Sequence, residues 1–365
     1  MTDVNAPRLI RRQTLSGDIF YDVDTREVYR DGSVPTNGTI KDFSSIATFD
    51  SRSPLKVYFD FTYLCNLECS HCITNSSPRV DRQNELPYER IVYILNDLAA
   101  IGVLEIGIGG GEPLCYPDIF QLLDQAKAIE LNVVLTTNGL LVTAETANRL
   151  KDTQVSEVRV SFDGSQSVHD AIRGAGTYRK ALEAVKILVH NGVTPVPRIT
   201  VCHDDELGLD GLFRDLAATG ASTVKAGLLE PRGRASLEEN QYLFRYQRDV
   251  VIGKYLLELA QKHGLNLKLP DDLAISSELA DGGDLRRGVR KCCGAGLETA
   301  YISPYGDVHP CSGMPNQSFG DVRSNSFISA WTGDGANTWR QCVCTHDSWR
   351  ACSHTEPIEG SHTLP

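Results

Sequence analysis

Between residues 53 and 236 the chain alternates short apolar runs with longer stretches whose apolar residues recur every three or four positions. The run Val57-Tyr-Phe-Asp-Phe61, and those within Leu104–Leu114, Val133–Gly139, Val158–Gly164 and Pro197–Cys202, read as buried strands. Between them, Tyr88–Ala100 and Tyr178–Asn191 read as amphipathic helices. In the second, Ala181, Ala184, Val185, Ile187 and Leu188 are spaced for one buried face. Repeated strand–helix units predict an α/β fold with a parallel sheet, whose ligands sit at the carboxyl ends of the strands. Spacing alone does not give the strand number.

The flanking regions read differently. Residues 1–52 are polar, with alternating stretches Ile19–Val23 and Glu27–Arg30 that predict a small hairpin without chemistry. A helical bridging region follows the alternating strand–helix part, over 237–285, with its helix starting at Ser236-Leu-Glu-Glu239 and running to about Gly264. Its Tyr242, Tyr246 and Tyr255 read as packing residues. The loop Asp281–Asp284 separates this region from a last domain, 286–365.

A chain of 365 residues suggests one large domain with a smaller one. Its net charge of −11, with no basic stripe, argues against nucleic acid or an anionic membrane as partner. No run of ~18 apolar residues is present, so no membrane span is expected. The start, Met1-Thr-Asp-Val-Asn-Ala-Pro-Arg8, lacks the apolar core of a signal peptide. With eleven cysteines and no export signal, the expectation is a cytoplasmic protein that uses thiols for metal rather than disulfides.

The cysteines carry the chemistry. Cys65, Cys69 and Cys72 form CxxxCxxC just after the first strand-like run. Three soft thiolates on one loop suit an iron–sulfur cluster or zinc. Zinc would want a fourth ligand, and His71, lying between Cys69 and Cys72, is the local candidate, although its side chain should point away from the shared centre. Downstream, Leu104-Glu-Ile-Gly-Ile-Gly-Gly-Gly-Glu-Pro-Leu114 is a strand running into a glycine turn, where Gly110 and Gly111 let backbone approach a ligand closely.

These motifs resemble those of the radical S-adenosylmethionine (SAM) enzymes. The resemblance implies a partial (β/α)6 barrel in which Cys65, Cys69 and Cys72 hold a [4Fe–4S] cluster whose open iron chelates SAM. An electron from the cluster then yields a 5′-deoxyadenosyl radical that removes a substrate hydrogen. It maps the family's GGEP motif onto Gly110, Gly111, Glu112 and Pro113, facing the methionine amino group. The strand end Thr136-Thr-Asn-Gly139 resembles the TNG strand end and contributes Asn138. Ser161 is placed on the ribose and Arg173 on the methionine carboxylate.

The stretch Cys293–Cys311, turning at Gly306, and Phe319–Trp331 resemble the auxiliary iron–sulfur domain called SPASM, or its shorter form, twitch. The candidates Cys292, Cys293, Cys311, Cys342, Cys344 and Cys352 are too few for two fully ligated four-iron clusters. One auxiliary cluster on Cys293, Cys311, Cys344 and Cys352 is the favoured set. Cys342 is an alternative to Cys344; a second cluster with open or non-cysteine ligation and structural zinc are the other options.

Cys115 reads as a packed thiol. Cys202, ending a strand at the expected mouth of the barrel, is the candidate hydrogen donor of an epimerase acting on an aminoglycoside or aminocyclitol carbinol carbon. A dehydrogenase oxidising a secondary alcohol through the auxiliary cluster is one alternative, with His203, Asp204 or Glu230 as base. A SPASM-type peptide-modifying enzyme is another; Ser312, where sulfatase-maturing relatives have an acid, and the short amino-terminal region weigh against it. A non-catalytic electron-transfer protein is the reading from another class. The acidic balance favours a cationic small molecule. The implied electron donor is an external flavodoxin or ferredoxin.

Overall fold

The computed structural model describes residues 8–14, 17–22, 28–30, 39–42, 53–201, 206–229, 232–236, 246–269 and 294–345. The amino-terminal region forms more than a hairpin. Strands β1 (Arg8–Thr14), β2 (Gly17–Asp22), β3 (Val28–Arg30) and β4 (Thr39–Asp42) make a four-stranded sheet in the order β3-β2-β1-β4, with β4 parallel to β1.

The main sheet begins with six parallel strands lying side by side in chain order. They are β5 (Lys56–Phe59), β6 (Glu105–Ile108), β7 (Asn132–Thr137), β8 (Glu157–Phe162), β9 (Pro195–Val201) and β10 (Thr223–Leu228). Helices α1 (Tyr88–Ala100), α2 (Ile119–Ala128), α3 (Ala144–Asp152), α4 (Gln166–Arg173), α5 (Thr177–His190) and α6 (Glu206–Ala217) connect them. Local chemistry fixes their starts: the Thr143 side chain accepts from Thr146 N at 3.1 Å, and Ser165 caps α4 through Val168 N.

The two faces of the sheet differ. Val57, Phe59, Ile106, Ile108, Val133, Leu135, Val158, Val160, Phe162, Ile199 and Val224 join one continuous core with the helices. The alternate residues, which point to the opposite face, include Lys56, Tyr58, Arg159, Ser161, Arg198 and Lys225. The Lys56 charge acts on Lys225, five strands away. In a flat sheet these strands would stand about 24 Å apart, so the sheet curls and its polar face is the concave one. This is the partial (β/α)6 barrel.

Beyond β10, Gly233–Ser236 forms a 3₁₀ turn and α7 spans Tyr246–His263, while residues 237–245, over which the sequence predicts the helix to begin, lie outside the described residues. Strand β11 (Asn266–Lys268) then adds to β10, so the bridging region extends the sheet as well as supplying a helix. Tyr255 packs against the core as expected; Tyr242, and the loop at 281–284, lie outside the described residues.

The carboxy-terminal part is not a detached unit. Its strand β12 (Thr299–Ile302) pairs in parallel with β5, and β13 (Asp307–His309) and β14 (Gly320–Asp321) continue antiparallel from it. The hairpin turns at Gly306, with φ +87°, as the sequence predicts. By pairing with β5, β12 covers an edge that would otherwise expose unpaired backbone groups. Helix α8 (Phe327–Trp331) buries Phe327 and Trp331 in the same core as β5 and β6, and α9 (Asp334–Thr345) follows. Helix α1 clamps this region: Arg90 donates to Val322 O (2.6 Å) and to Asn325 O, while Asp97 accepts from Phe327 N (2.6 Å).

Candidate active site

Residues 60–87, between β5 and α1, carry the three cysteines. Cys65 and Cys69 are buried and Cys72 is partly exposed. Leu67 N donates to Cys65 Sγ at 3.4 Å, Asn138 Nδ2 lies 3.9 Å from the same sulfur, and Cys72 Sγ lies 3.4 Å from Thr74 Oγ1. Burial pushes the Cys65 thiol up to about 12, and the neighbouring Glu112, Cys69 and Cys72 act in the same direction. The three sulfurs therefore share one locality. Among the described residues, no three or more His, Cys, Asp or Glu side chains gather around a single-ion site. Three thiols on one loop, with N–H groups aimed at sulfur, fit a multi-iron cluster.

His71 does not join them. Its Nε2 bonds Asp163 Oδ1 at 2.9 Å, leaving Nδ1 buried without a partner. Asp163 is fully buried and also takes the Arg173 guanidinium, Nη2 to Oδ1 at 3.1 Å with Nε on Oδ2. Burial alone would raise Asp163, but Arg173 and then His71 outweigh it and hold it below the usual carboxylate range. Arg173 thus stands beside Cys69, whose thiol it acts to lower against the effect of burial, with its guanidinium on a protein carboxylate.

The glycine turn is built against the cysteine loop. A Cβ on Gly111 would lie 2.1 Å from Leu64 O, and one on Gly110, at φ +80°, would lie 2.6 Å from Thr62 O. Gly111 N donates to Thr62 O (3.0 Å) and Glu112 N to Leu64 O (2.9 Å). In this structure the glycines serve the approach of two protein segments, where the sequence pointed to a ligand. Glu112 also turns inward. It is fully buried and accepts from Thr137 Oγ1 (2.7 Å), Leu114 N (3.1 Å) and Asn138 N (2.7 Å), with Pro113 beginning a 3₁₀ turn behind it. Burial raises its pKa against those bonds.

Asn138 completes the knot: its Nδ2 donates to Asn66 Oδ1 at 2.7 Å, and its Oδ1 accepts from Leu140 N at 3.0 Å. Glu112 and Asn138 therefore lock the ends of β6 and β7 to the cysteine loop. Ser161, by contrast, stands partly exposed on the concave face of β8. Cys115, read as an isolated packed thiol, lies against the cysteine loop within reach of the Asn66 backbone; burial raises its pKa.

Two residues escaped the sequence reading. Arg234, in the 3₁₀ turn after β10, donates from Nε to Cys69 O (2.7 Å) and from Nη2 to Ser76 O (2.8 Å), while its N–H reaches Cys72 O (3.0 Å). Gly233, at φ +59°, is needed there because a Cβ would lie 2.4 Å from Cys72 O. Arg232 reaches the other way, placing Nη1 3.8 Å from Cys311 Sγ. One short segment thus touches both cysteine-bearing regions. An arginine beside a glycine, in a stretch without periodicity, gives no signal from sequence alone.

Of the auxiliary candidates, Cys311 lies just after β13 and is partly exposed. Cys342 and Cys344 fall on α9, and Cys292, Cys293 and Cys352 lie outside the described residues. Cys202, His203, Asp204 and Glu230 also lie outside them, Cys202 immediately following β9.

Comparison with known proteins agrees with this arrangement. Residues 59–208 match the Radical SAM superfamily and residues 292–354 the SPASM iron–sulfur cluster-binding domain. The chain is 30% identical over 283 residues to mycofactocin maturase MftC of Mycobacterium tuberculosis, covering 76% of this chain and 70% of that protein. It is 29% identical over 296 residues to pre-heme d1 synthase of Dinoroseobacter shibae, covering 76% and 73%. Its fold matches Streptococcus suis SuiB bound to S-adenosylmethionine, with TM-score 0.70 at 15% identity over 90% of this chain and 88% of that one. The cofactors are accordingly a [4Fe–4S] cluster and SAM, with auxiliary iron–sulfur in the carboxy-terminal domain. Its motifs, its curled parallel sheet and its kinship to the maturase make the chain a member of the radical SAM superfamily, in the branch that carries a SPASM domain.

Proposed function

We propose that this enzyme is a peptide maturase that modifies a precursor peptide by hydrogen abstraction. The observation that carries the reading is the 30% identity to a maturase along three quarters of the chain. That SuiB, of the same fold, was crystallised with a precursor peptide is in keeping with it. In this reading Cys65, Cys69 and Cys72 ligate the SAM-binding cluster, and Cys293, Cys311, Cys344 and Cys352 the auxiliary one. When bound, the first cluster and SAM together supply reductive cleavage of the sulfonium bond and removal of a substrate hydrogen atom.

The protein's own residues do the rest. Arg234 and the Glu112–Asn138 knot fix the shape of the cysteine loop. Gly110 and Gly111 hold the cysteine loop close to the end of β6, Ser161 presents its hydroxyl to SAM from the carboxyl end of β8, and Arg173 adds a positive charge beside Cys69. An external flavodoxin or ferredoxin supplies electrons. The epimerase and dehydrogenase readings, with an aminosugar or aminocyclitol substrate and Cys202 as hydrogen donor, draw no support from the relatives named above. The 29% identity to pre-heme d1 synthase keeps a haem-related small molecule as the second reading.

The test is anaerobic turnover of the reconstituted enzyme with dithionite and SAM, offered short peptides encoded beside its gene and, separately, aminoglycosides and tetrapyrroles. A mass change in a peptide, with matching 5′-deoxyadenosine, is expected. Product from an aminoglycoside or tetrapyrrole, with peptides unchanged, would overturn the reading.

A further inference from the structure

Two hydroxyls and a carbonyl gather around the sulfur of the last cysteine in the loop. Thr74 Oγ1 lies 3.4 Å from Cys72 Sγ, 2.7 Å from Ser76 Oγ and 3.3 Å from Gly110 O. Ser76 is buried and Thr74 partly so. The frame around them is fixed. Asn75, between the two, takes φ +56°, a left-handed turn that asparagine tolerates. Arg234 Nη2 donates to Ser76 O (2.8 Å) and Cys65 N to Ser77 O (3.2 Å). On the other side, Gly110 is held by its close approach to Thr62 O.

A threonine hydroxyl has one proton to give and lone pairs with which to accept. Gly110 O only accepts, and Ser76 can do either. While Cys72 is a thiol, its S–H can donate to Thr74, which leaves the Thr74 proton for Gly110 O. Bound to iron as a thiolate, Cys72 only accepts. Ser76 then donates to Thr74 Oγ1, and the Thr74 proton has two takers, a neutral carbonyl at 3.3 Å and a negative sulfur at 3.4 Å. The charged acceptor wins, because charge-assisted bonds are about twice as strong as neutral ones. Cys65 differs: its donor is the backbone N–H of Leu67, at 3.4 Å, which has no second taker to choose by rotating.

We propose that Thr74, backed by Ser76, is a positioning residue for electron entry: its hydroxyl donates to the iron-bound sulfur of Cys72 and raises the reduction potential of the SAM-binding cluster. This rests on the reading that Cys72 ligates that cluster. Reduction places further negative charge on the sulfurs, so a donor aimed at one of them stabilises the reduced form more than the oxidised one. The electron comes from the external flavodoxin or ferredoxin, while the proton stays on Thr74 Oγ1 and no bond breaks. A cluster that is easier to reduce can be filled by a weaker donor, with less driving force left toward SAM.

The experiment is an anaerobic redox titration of reconstituted holoenzyme, followed by electron paramagnetic resonance at the g-values that shift on adding SAM, with the auxiliary signals as internal reference. Thr74→Val keeps the shape and drops the hydroxyl. The equilibrium constant for reducing the SAM-responsive cluster should fall about tenfold, a midpoint about 59 mV lower for one electron, with the auxiliary midpoint unmoved. Thr74→Ser should titrate as wild type and Thr74→Ala as Thr74→Val, so the Ser and Ala pair decides if the valine variant fails to hold its cluster. An unchanged or higher midpoint in Thr74→Val and Thr74→Ala, or an equal drop in Thr74→Ser, overturns the assignment. A matching shift of the auxiliary signals also overturns it, since general loosening would cause that. Cys72→Ala separates the two claims. Loss of the SAM-responsive signal there, with no shift in the Thr74 variants, sinks the role of Thr74 and leaves the ligation reading standing; an unaltered SAM-responsive signal in Cys72→Ala sinks that reading itself.

Discussion

Arg234 offers a direct way to perturb the cysteine loop without touching a sulfur. Its side chain makes two bonds to loop carbonyls, Cys69 O at 2.7 Å and Ser76 O at 2.8 Å, and Arg234→Ala removes both while leaving the backbone bond to Cys72 O. Bonds from a charged donor contribute about 1.5–3 kcal/mol each, so the loop should open more readily by about 3 kcal/mol at the lower end. At 1.4 kcal/mol per tenfold, that is about a hundredfold larger open population. Where opening is fast relative to capture, iron loss follows that population. Transfer of iron from anaerobic holoenzyme to a ferrous chelator, followed by its coloured complex and by loss of cluster absorbance, should therefore accelerate by about two decades in Arg234→Ala, in one kinetic phase. Arg234→Lys, which keeps the charge and can retain one bond, should fall between. An unchanged rate in Arg234→Ala would refute the idea that this residue holds the loop shut.

Further outcomes follow from the same geometry. Gly111→Ala should destabilise severely or abolish soluble enzyme, because its Cβ would meet Leu64 O at 2.1 Å; Gly211→Ala, on the open face of α6 with nothing closer than 3.9 Å, should stabilise by about 0.5–1 kcal/mol in denaturant titration. Glu112→Gln keeps the shape but turns an NH₂ toward either Asn138 N or the Thr137 and Leu114 donors, costing about 1–3 kcal/mol or more by the same measurement. Asp60, raised by burial to about 7, contributes stability that is fully present below its unfolded pKa and lost as pH rises through about 7. Wild type should thus lose about 2 kcal/mol between about pH 5.5 and 7 relative to Asp60→Asn, and parallel profiles for the two proteins would contradict that assignment.

How much of this was legible in advance depends on range. The helix periodicity of Tyr178–Asn191 and the apolar run Val57–Phe61 are local patterns, and they appear as α5 and β5. The cysteine spacing and the glycine turn were likewise readable, because a loop that gathers three thiols is short and contiguous. What sequence did not disclose is who meets whom. Glu112 and Asn138 look like ligand-facing residues in their motifs, yet each completes its hydrogen bonds within the protein. Arg234 reaches its loop from about 160 residues downstream. The pairing of β12 with β5, which merges the carboxy-terminal hairpin with the barrel sheet, joins strands more than 240 residues apart.

The central claim, a cluster on the 65–72 loop that cleaves SAM, is tested most directly by electron paramagnetic resonance of the dithionite-reduced enzyme with and without SAM, using wild type and a Cys65→Ala, Cys69→Ala, Cys72→Ala triple variant. The account requires a wild-type [4Fe–4S]⁺ signal whose g-values shift when SAM is added, with 5′-deoxyadenosine formed on thawing, and loss of that signal and product in the triple variant while auxiliary cluster signals persist. A wild-type spectrum indifferent to SAM, or 5′-deoxyadenosine formed equally by the triple variant, would contradict it.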